Sequence, residues 1–342
     1  MIDLDWGRAS TYLLERGHVL DLSRPPRQFA GGFGNLNFLV MVDGQYCVLR
    51  RPPFGTLPAG ANDMAREHRV LSRLFKSYPL APRSLLYCAD PAVLGAHFLI
   101  MEYRQGVLLV GDRLPGELST RRARKRLSSM LVNVLAGLHA VNTESADLAD
   151  LGKPQGFLSR AALGWAKRAE AVADRHDAAP IAEISGWLGR RVPPEVPPTL
   201  LHCDFKLDNI VLDPDTFLPR AVLDWDMCTR GDPLFDLATL LSYWVESSDP
   251  DEMQQLRQMP TAKDGFYSRS EVLHAYASTT GRDISNFLFY RVLALFKLGV
   301  VFLQLHARYR SGATKEPRYA GFGKLGRGIL DFAHTVMRGS AT

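Results

Sequence analysis

Apolar and polar positions recur along the chain in blocks whose period changes, and those blocks predict the elements. Residues 5 to 16 recur at helical spacing, with Trp6, Tyr12, Leu13 and Leu14 partly lining one face, and predict a short helix. From Gln28 the chain runs through an apolar segment to Asp43-Gly44 and on through Gln45-Tyr-Cys-Val-Leu-Arg50. Asp-Gly between two apolar runs predicts a tight hairpin, because both central positions of a type I′ turn take positive φ. Pro52 to Gly60 holds three prolines and two glycines in nine residues and must be loop. Ala61 to Phe75 predicts a helix whose stripe is Met64, Val70, Leu71 and Leu74, with Glu67 one helical step away. Ser84 to Cys88 and His97 to Met101 read as strands.

The second half is mostly helical in period. Leu118 to Val141 repeats through Leu127, Met130, Leu131, Val134, Leu135 and Leu138, and Phe157 to Val172 and Ile181 to Arg191 predict two further helices. Asp232 to Val245 starts with a capping Asp and Pro233 at the first helical position. Three helices, at about 269–280, 284–311 and 320–338, complete the pattern, punctuated by Gly281, Gly312 and Gly321.

One stretch breaks the helical rhythm. In Leu201 to Asp226 the apolar pieces Ile210-Val211-Leu212 and Ala221-Val222-Leu223 flank Asp213-Pro214-Asp215, which reads as strand, turn, strand. Antiparallel pairing would bring Asn209, at the start of the first strand, beside Asp224, at the end of the second. Two oxygen donors would converge there, as a hard cation such as Mg²⁺ requires.

Composition narrows the classes. A chain of 342 residues suits two lobes sharing a cleft, and its 46% hydrophobic content can fill a substantial core. Lys and Arg number 41 against 36 Asp and Glu, a net charge of +5 that favours anionic ligands. No dense basic tract with interleaved aromatics appears, so nucleic acid is not expected as a partner. Cys47, Cys88, Cys203 and Cys228 form neither a C-x-x-C pair nor a regular framework, which argues against zinc and disulfide scaffolds. No secretory signal is visible at the N-terminus. The most apolar stretch, Leu293 to Leu305, is interrupted by Lys297 and Gln304 and is shorter than a membrane span. A cytoplasmic protein without a membrane partner is the expectation.

The spacing H-x-D-x-K-x-x-N over His202 to Asn209 matches a kinase catalytic loop, in which the Asp orients and deprotonates a hydroxyl and the Asn holds a metal. With Asp224-Trp-Asp and Gly231-Asp-Pro-Leu-Phe-Asp-Leu-Ala after it, the chain resembles the aminoglycoside phosphotransferase family, the small-molecule relatives of protein kinases. Arg50 in VLRRPP and the R-E-H-R-V-L helix make the likeness strongest to the kinase portion of some acyl-CoA dehydrogenase fusions. The resemblance covers roughly residues 28 to 245.

It implies an α+β, two-lobed protein-kinase-like fold, with a small β-rich lobe over 1–103 and a larger, mostly helical lobe over 104–342. It also implies ATP-dependent phosphoryl transfer to the hydroxyl of a small molecule, with ATP and Mg²⁺ as cofactors. Asp204 would be the base, and Lys206 would either reach the γ-phosphate or face solvent from its loop. Asn209 and Asp224 would hold the metal. Gly31, Gly32 and Gly34 would fold over the phosphates, Arg50 would contact them and Glu67 would fix Arg50. Glu102 and Tyr103 would form the hinge that meets the adenine edge, and Asp236 would accept hydrogen bonds from the catalytic-loop backbone. His202 braces the loop in this reading, and His139 is a packed residue.

Two departures stand out: Arg50 where kinases have Lys, and Cys203 where small-molecule phosphotransferases have Gly. A protein kinase, a nucleotide-binding pseudokinase, and a metal hydrolase built on His202, Asp204, Asp224 and Asp226 stay open as alternatives. For the acceptor, both a hydroxyacyl-CoA-like metabolite and an aminoglycoside stay open.

Overall fold

The computed structural model describes residues 4–29, 34–55, 62–175, 177–314 and 316–339. The chain forms two compact units: Met1–Val107 with Val141–Asp150 and Asn209–Cys228, and Leu108–Ala140 with Leu151–Asp208 and Thr229–Thr342.

The first unit opens with α1 (Trp6–Leu14), capped by Asp5, whose carboxylate accepts from the Arg8 N–H. Strands β1 (Arg27–Gln28), β2 (Leu36–Val42) and β3 (Gln45–Arg51) follow, then α2 (Met64–Leu74), β4 (Ser84–Cys88), α3 (Pro91–Leu94) and β5 (Phe98–Glu102). The five strands make one antiparallel sheet in the order β1-β2-β3-β5-β4. Val42 pairs with Gln45 across a two-residue turn in which Asp43 has φ 51° and Gly44 φ 76°, the conformation the Asp-Gly pair predicts. Phe38, Val40, Leu49, Phe98 and Ile100 point to one face and pack with Ala9 and Leu13 of α1 into a core. Helix α2 starts at Asp63, whose carboxylate accepts from the Arg66 N–H at 3.0 Å, and it buries Met64, Glu67, Val70, Leu71 and Leu74.

In the second unit come α4 (Arg121–His139), α5 (Phe157–Glu170), α6 (Ala178–Arg190) and β6 (Thr199–Leu201). Thr120 caps α4, so the helix starts three residues later than the apolar pattern suggests, and Gly116–Leu118 forms a separate 3₁₀ turn. The chain returns to the first unit for the antiparallel pair β7 (Ile210–Leu212) and β8 (Pro219–Val222). It then supplies the second unit with β9 (Thr229–Gly231), which pairs with β6, and with α7 (Pro233–Tyr243), α8 (Asp251–Leu256), α9 (Arg269–Thr280), α10 (Phe287–Arg310) and α11 (Phe322–Met337).

Helix α10 is apolar on nearly every side because it is the centre of this unit, packed by α5, α7 and α11. It crosses α11 closely: a Cβ on Gly299 would lie 2.9 Å from Leu330 and 3.1 Å from the Gly326 carbonyl oxygen. Its 24 residues fall within the helix expected at about 284–311. By length and composition it could cross a membrane, yet 67% of its most apolar window is buried within the fold. The β1, α3, α8, β6 and β9 elements carry no periodic signal of their own, being two to six residues long.

Candidate functional site

In the first unit the site is a buried ionic cluster. Strand alternation sends Arg50 and Arg51 to opposite faces of β3. Arg51 is buried against backbone, donating to the Pro52 and Leu94 carbonyls at 3.0 and 2.8 Å, with Phe54 over its guanidinium. Arg50 turns toward α2 and the segment after β8. Its Nε donates to Glu67 Oε2 at 2.7 Å, its Nη2 to Asp224 Oδ1, and its Nη1 to Asn37 Oδ1 at 3.4 Å, with Asp226 Oδ2 4.0 Å away.

The pair of β7 and β8 sets the acidic side. Leu223 N–H donates to the Asn209 carbonyl at 2.8 Å, which brings Asn209 beside Asp224 as the strand-turn-strand pattern requires. Asp224 takes φ 73°, a left-handed backbone unusual for a residue other than glycine. Trp225 is fully buried, its indole N–H bonded to the Val222 carbonyl at 2.7 Å and its backbone N–H to Glu67 Oε1 at 3.2 Å. It anchors the two aspartates that flank it. Asp226 is 8% exposed; Asn35 donates to its Oδ2 at 3.2 Å, Asn62 donates to Asn35 at 2.8 Å, and Arg66 donates to the Asp226 carbonyl at 3.3 Å.

The charges in this cluster oppose burial in different ways. Burial works against the Arg50 guanidinium, but Glu67, Asp224 and Asp226 outweigh it and hold its pKa above the ordinary value. Burial pushes the Glu67 carboxyl up to about 7, against the pull of Arg50 and with the help of Asp226 and Asp224.

At the end of β5, Glu102 accepts from the Arg83 N–H at 3.2 Å and pairs with Arg104 at 2.9 Å. Tyr103 stacks on Phe29 with ring centroids 6.1 Å apart and meets Tyr46 edge-on at 6.4 Å. Gly34 is an exposed bend residue ahead of β2, whereas Gly31 and Gly32 lie outside the described residues.

In the second unit the site is a loop held by its backbone. Asp236, fully buried on α7, accepts from the N–H groups of His202 at 2.5 Å and Cys203 at 2.8 Å. His139 of α4 lies 3.5 Å from Asp236 Oδ2 and bonds the Tyr276 hydroxyl at 2.6 Å. Although burial opposes it, bonding to His139 and to the His202 N–H holds the Asp236 carboxyl below its ordinary pKa. His202 is buried, and its Nδ1 accepts from the Asp204 N–H at 3.3 Å. Lys297 of α10 donates to the Cys203 carbonyl at 2.8 Å.

Cys203 has φ 67°. This is the region glycine occupies freely, which explains why glycine suits the position and what its replacement costs, roughly 1 kcal/mol of backbone strain. The polar side chains that follow it in the loop still converge. Lys206 Nζ lies 3.0 Å from Asp204 Oδ2 and 3.9 Å from Asp208 Oδ1, so the lysine is paired within its loop. The Tyr243 hydroxyl donates to Asp204 Oδ1 at 3.5 Å. Burial opposes the Lys206 charge, but Asp204, Tyr243 and Asp208 raise its pKa well above the ordinary value.

Sequence reasoning missed Asn35, Asn37 and Asn62 in the first unit and Tyr243 and Lys297 in the second. Lys297 had a signal, a lone cation inside the most apolar run of the chain, which then served only as an argument about membranes. The asparagines had none. Among the described residues no group of three or more His, Cys, Asp and Glu side chains is arranged to hold a metal ion, and His202 Nδ1 is already engaged, so the metal-hydrolase alternative lacks its ligand set.

Comparison with known proteins gives the family and the fold. Residues 26–268 match the phosphotransferase enzyme family. The human acyl-CoA dehydrogenase family member 11 is 31% identical over 297 residues, which are 83% of this chain and 36% of that protein. The mouse family member 10 is 29% identical over 308 residues, 90% of this chain and 28% of that protein. The chain therefore spans about a third of the length of these curated relatives. Among solved structures, a candidate aminoglycoside phosphotransferase from Ralstonia eutropha superposes with a TM-score of 0.81 at 24% identity, covering 98% of this chain and 99% of that one. A thermostable mutant of aminoglycoside phosphotransferase APH(4)-Ia, in ternary complex with AMP-PNP and hygromycin B, gives 0.62 at 18% identity, over 97% and 99% of the two chains.

Proposed function

The chain belongs to the phosphotransferase enzyme family, and from that premise we propose that it transfers the γ-phosphate of ATP to a hydroxyl of a small molecule. The observation that carries the proposal is the Arg50–Glu67 ion pair, joined to Asp224 at the end of the β7–β8 pair. An arginine here keeps a permanent cation in the place where kinases use lysine, with a fork that suits phosphate oxygens. Arg50 therefore gives no reason to favour a pseudokinase.

The acceptor O–H would give its proton to Asp204 as the acceptor oxygen bonds to the γ-phosphorus and the bond to the ADP oxygen breaks. Lys206 and Tyr243 would hold the Asp204 carboxylate in position. Lys206 would also add positive charge where the transferred group gathers negative charge. Arg50 would bind phosphate oxygens and Glu67 would orient it. The backbone around Glu102 and Tyr103 would meet the adenine edge.

The amide of Asn209 and the carboxylate of Asp224 fit a hard divalent cation: both are oxygen donors, they lie at the same end of one strand pair, and Asp224 already attracts a cation in Arg50. Mg²⁺ held there would neutralise phosphate charge. The four thiols are free and buried, as a reducing, cytoplasmic setting would require. For the acceptor, the kinship to acyl-CoA dehydrogenase family members favours a hydroxylated acyl metabolite, and the fold neighbours favour an aminoglycoside.

ADP formation with Mg²⁺ and a panel of hydroxylated acceptors tests the proposal. Asp204→Asn is expected to lower kcat by roughly 10²–10⁴-fold while leaving ATP affinity within about twofold. Unchanged transfer by that variant would remove Asp204 from the mechanism.

A further inference from the structure

Five of the six residues from Arg121 to Arg126 are cations, and they occupy the first turn and a half of α4. No acidic residue balances them in that turn. The placement is unfavourable twice over: like charges sit within one helical step of each other, and all of them face the positive end of the helix macrodipole. Arg121 pairs with Asp264 at 3.0 Å, and Arg124 turns inward to the carbonyls of Leu118 and Asp264 at 3.1 and 2.7 Å. Arg122, Lys125 and Arg126 are exposed and have no ion-pair partner among the described residues.

Together with Arg121, Ser129 and Tyr267 these three line a shallow groove of about 540 Å³ that is open to solvent. Its far wall is pinned. Tyr267 N–H donates to Ser128 Oγ at 3.1 Å, and the Trp244 indole N–H donates to the Tyr267 carbonyl at 2.9 Å. Gly265 approaches α4 so closely that a Cβ there would lie 2.6 Å from Arg121 Cα. Trp244 adjoins Tyr243, whose hydroxyl meets Asp204, so one short segment carries both the wall of the groove and a contact to the proposed base.

We propose that this groove at the head of α4 binds a phosphate-rich small molecule, with Arg122, Lys125 and Arg126 as the cations that pair with its phosphates. Guanidinium forks match phosphate oxygens in pairs. Residues 122 and 126 are separated by about 6 Å along the helix axis, a distance that two linked phosphate groups can bridge. A membrane surface fits less well, because the large exposed apolar side chains nearest in sequence are Val110 and Leu163, outside the tract. Nucleic acid fits less well because no aromatic is interleaved in the tract. Taking the ligand to be the acceptor, with its phosphates remote from the reacting hydroxyl, rests on the phosphotransferase reading. The anion site itself does not. On that reading a polycationic aminoglycoside is disfavoured as acceptor.

The test is calorimetric titration of the full chain with inorganic pyrophosphate at low ionic strength, with the proposed nucleotide site saturated by AMP-PNP so that Arg50 is not the group read out. The Arg122→Gln/Lys125→Gln/Arg126→Gln variant is expected to bind at least tenfold more weakly and to melt no lower than the parent, since it sheds repulsion. The Asp204→Asn chain should bind as the parent does, whether or not the parent transfers phosphate, so the site stands or falls separately from the reaction. Pyrophosphate affinity unchanged in the triple variant overturns the proposal. So does loss of binding to phosphatidylserine vesicles in that variant while the parent binds no pyrophosphate.

Discussion

The two candidate clusters, one in each unit, are held by opposite means. In the first unit one buried cation, Arg50, gathers the carboxylates of Glu67, Asp224 and Asp226, which come from α2 and the segment after β8. In the second unit one buried carboxylate, Asp236, gathers backbone N–H groups of a single loop. Long side chains around a guanidinium can rearrange when a ligand brings its own charges. Backbone bonds to a buried carboxylate fix the loop before any ligand arrives. The difference suits the proposed roles: a phosphate grip that must exchange partners, and a base that must already be aimed.

Breaking the first arrangement should cost most. Arg50→Met leaves a buried carboxylate uncompensated and is expected to destabilise the chain by about 3–5 kcal/mol in chemical denaturation, with loss of ATP binding. An ATP affinity equal to the parent's would mean that the cluster is structural only. Asp236→Asn should cost less, about 2–3 kcal/mol, because one oxygen still accepts from the loop. It should lower transfer while ATP binding persists, and equal losses of both would erase the contrast between the two units.

The smallest effect reads the charge balance itself. Burial holds the Glu67 carboxyl at about 7, against 4.5 for an ordinary glutamate. The folded chain is then the better proton binder, so the stabilising share of Glu67 is complete below pH 4.5 and is lost as the pH rises through 7. Glu67→Gln lacks this titration. The stability of the parent relative to the variant should fall by on the order of 2 kcal/mol between pH 4.5 and 8. A difference that stays flat over that range would place the Glu67 pKa at an ordinary value.

Cys203 shows where sequence and structure meet. Its departure from glycine is visible in the chain, but only the φ of 67° explains the preference. The likeness to phosphotransferases was likewise carried by spacing that survives in one dimension: H-x-D-x-K-x-x-N, D-x-D and the Gly231-Asp-Pro start of α7. The hairpin at Asp43-Gly44, the stripe of α2 and helix α9 were legible because turn chemistry and helical period act over two to four residues. Short elements such as β6, β9 and α8 were not, because tertiary contacts, and not their own pattern, make them regular.

By itself, then, the sequence determined the order of the parts and the identity of the chemically able residues: the Arg50-Arg51 pair, Glu67, Asp204, Asn209, Asp224 and Asp236. Tertiary structure alone decided which of the two adjacent arginines enters the cluster, that Lys206 closes on Asp204, and that Lys297 and His139 support the loop. The physical reason is range. Turn signals and helical stripes are local, whereas a buried charge is satisfied by whichever partner the fold brings within about 3 Å, 17 residues away for Arg50 and Glu67 and 94 for Cys203 and Lys297.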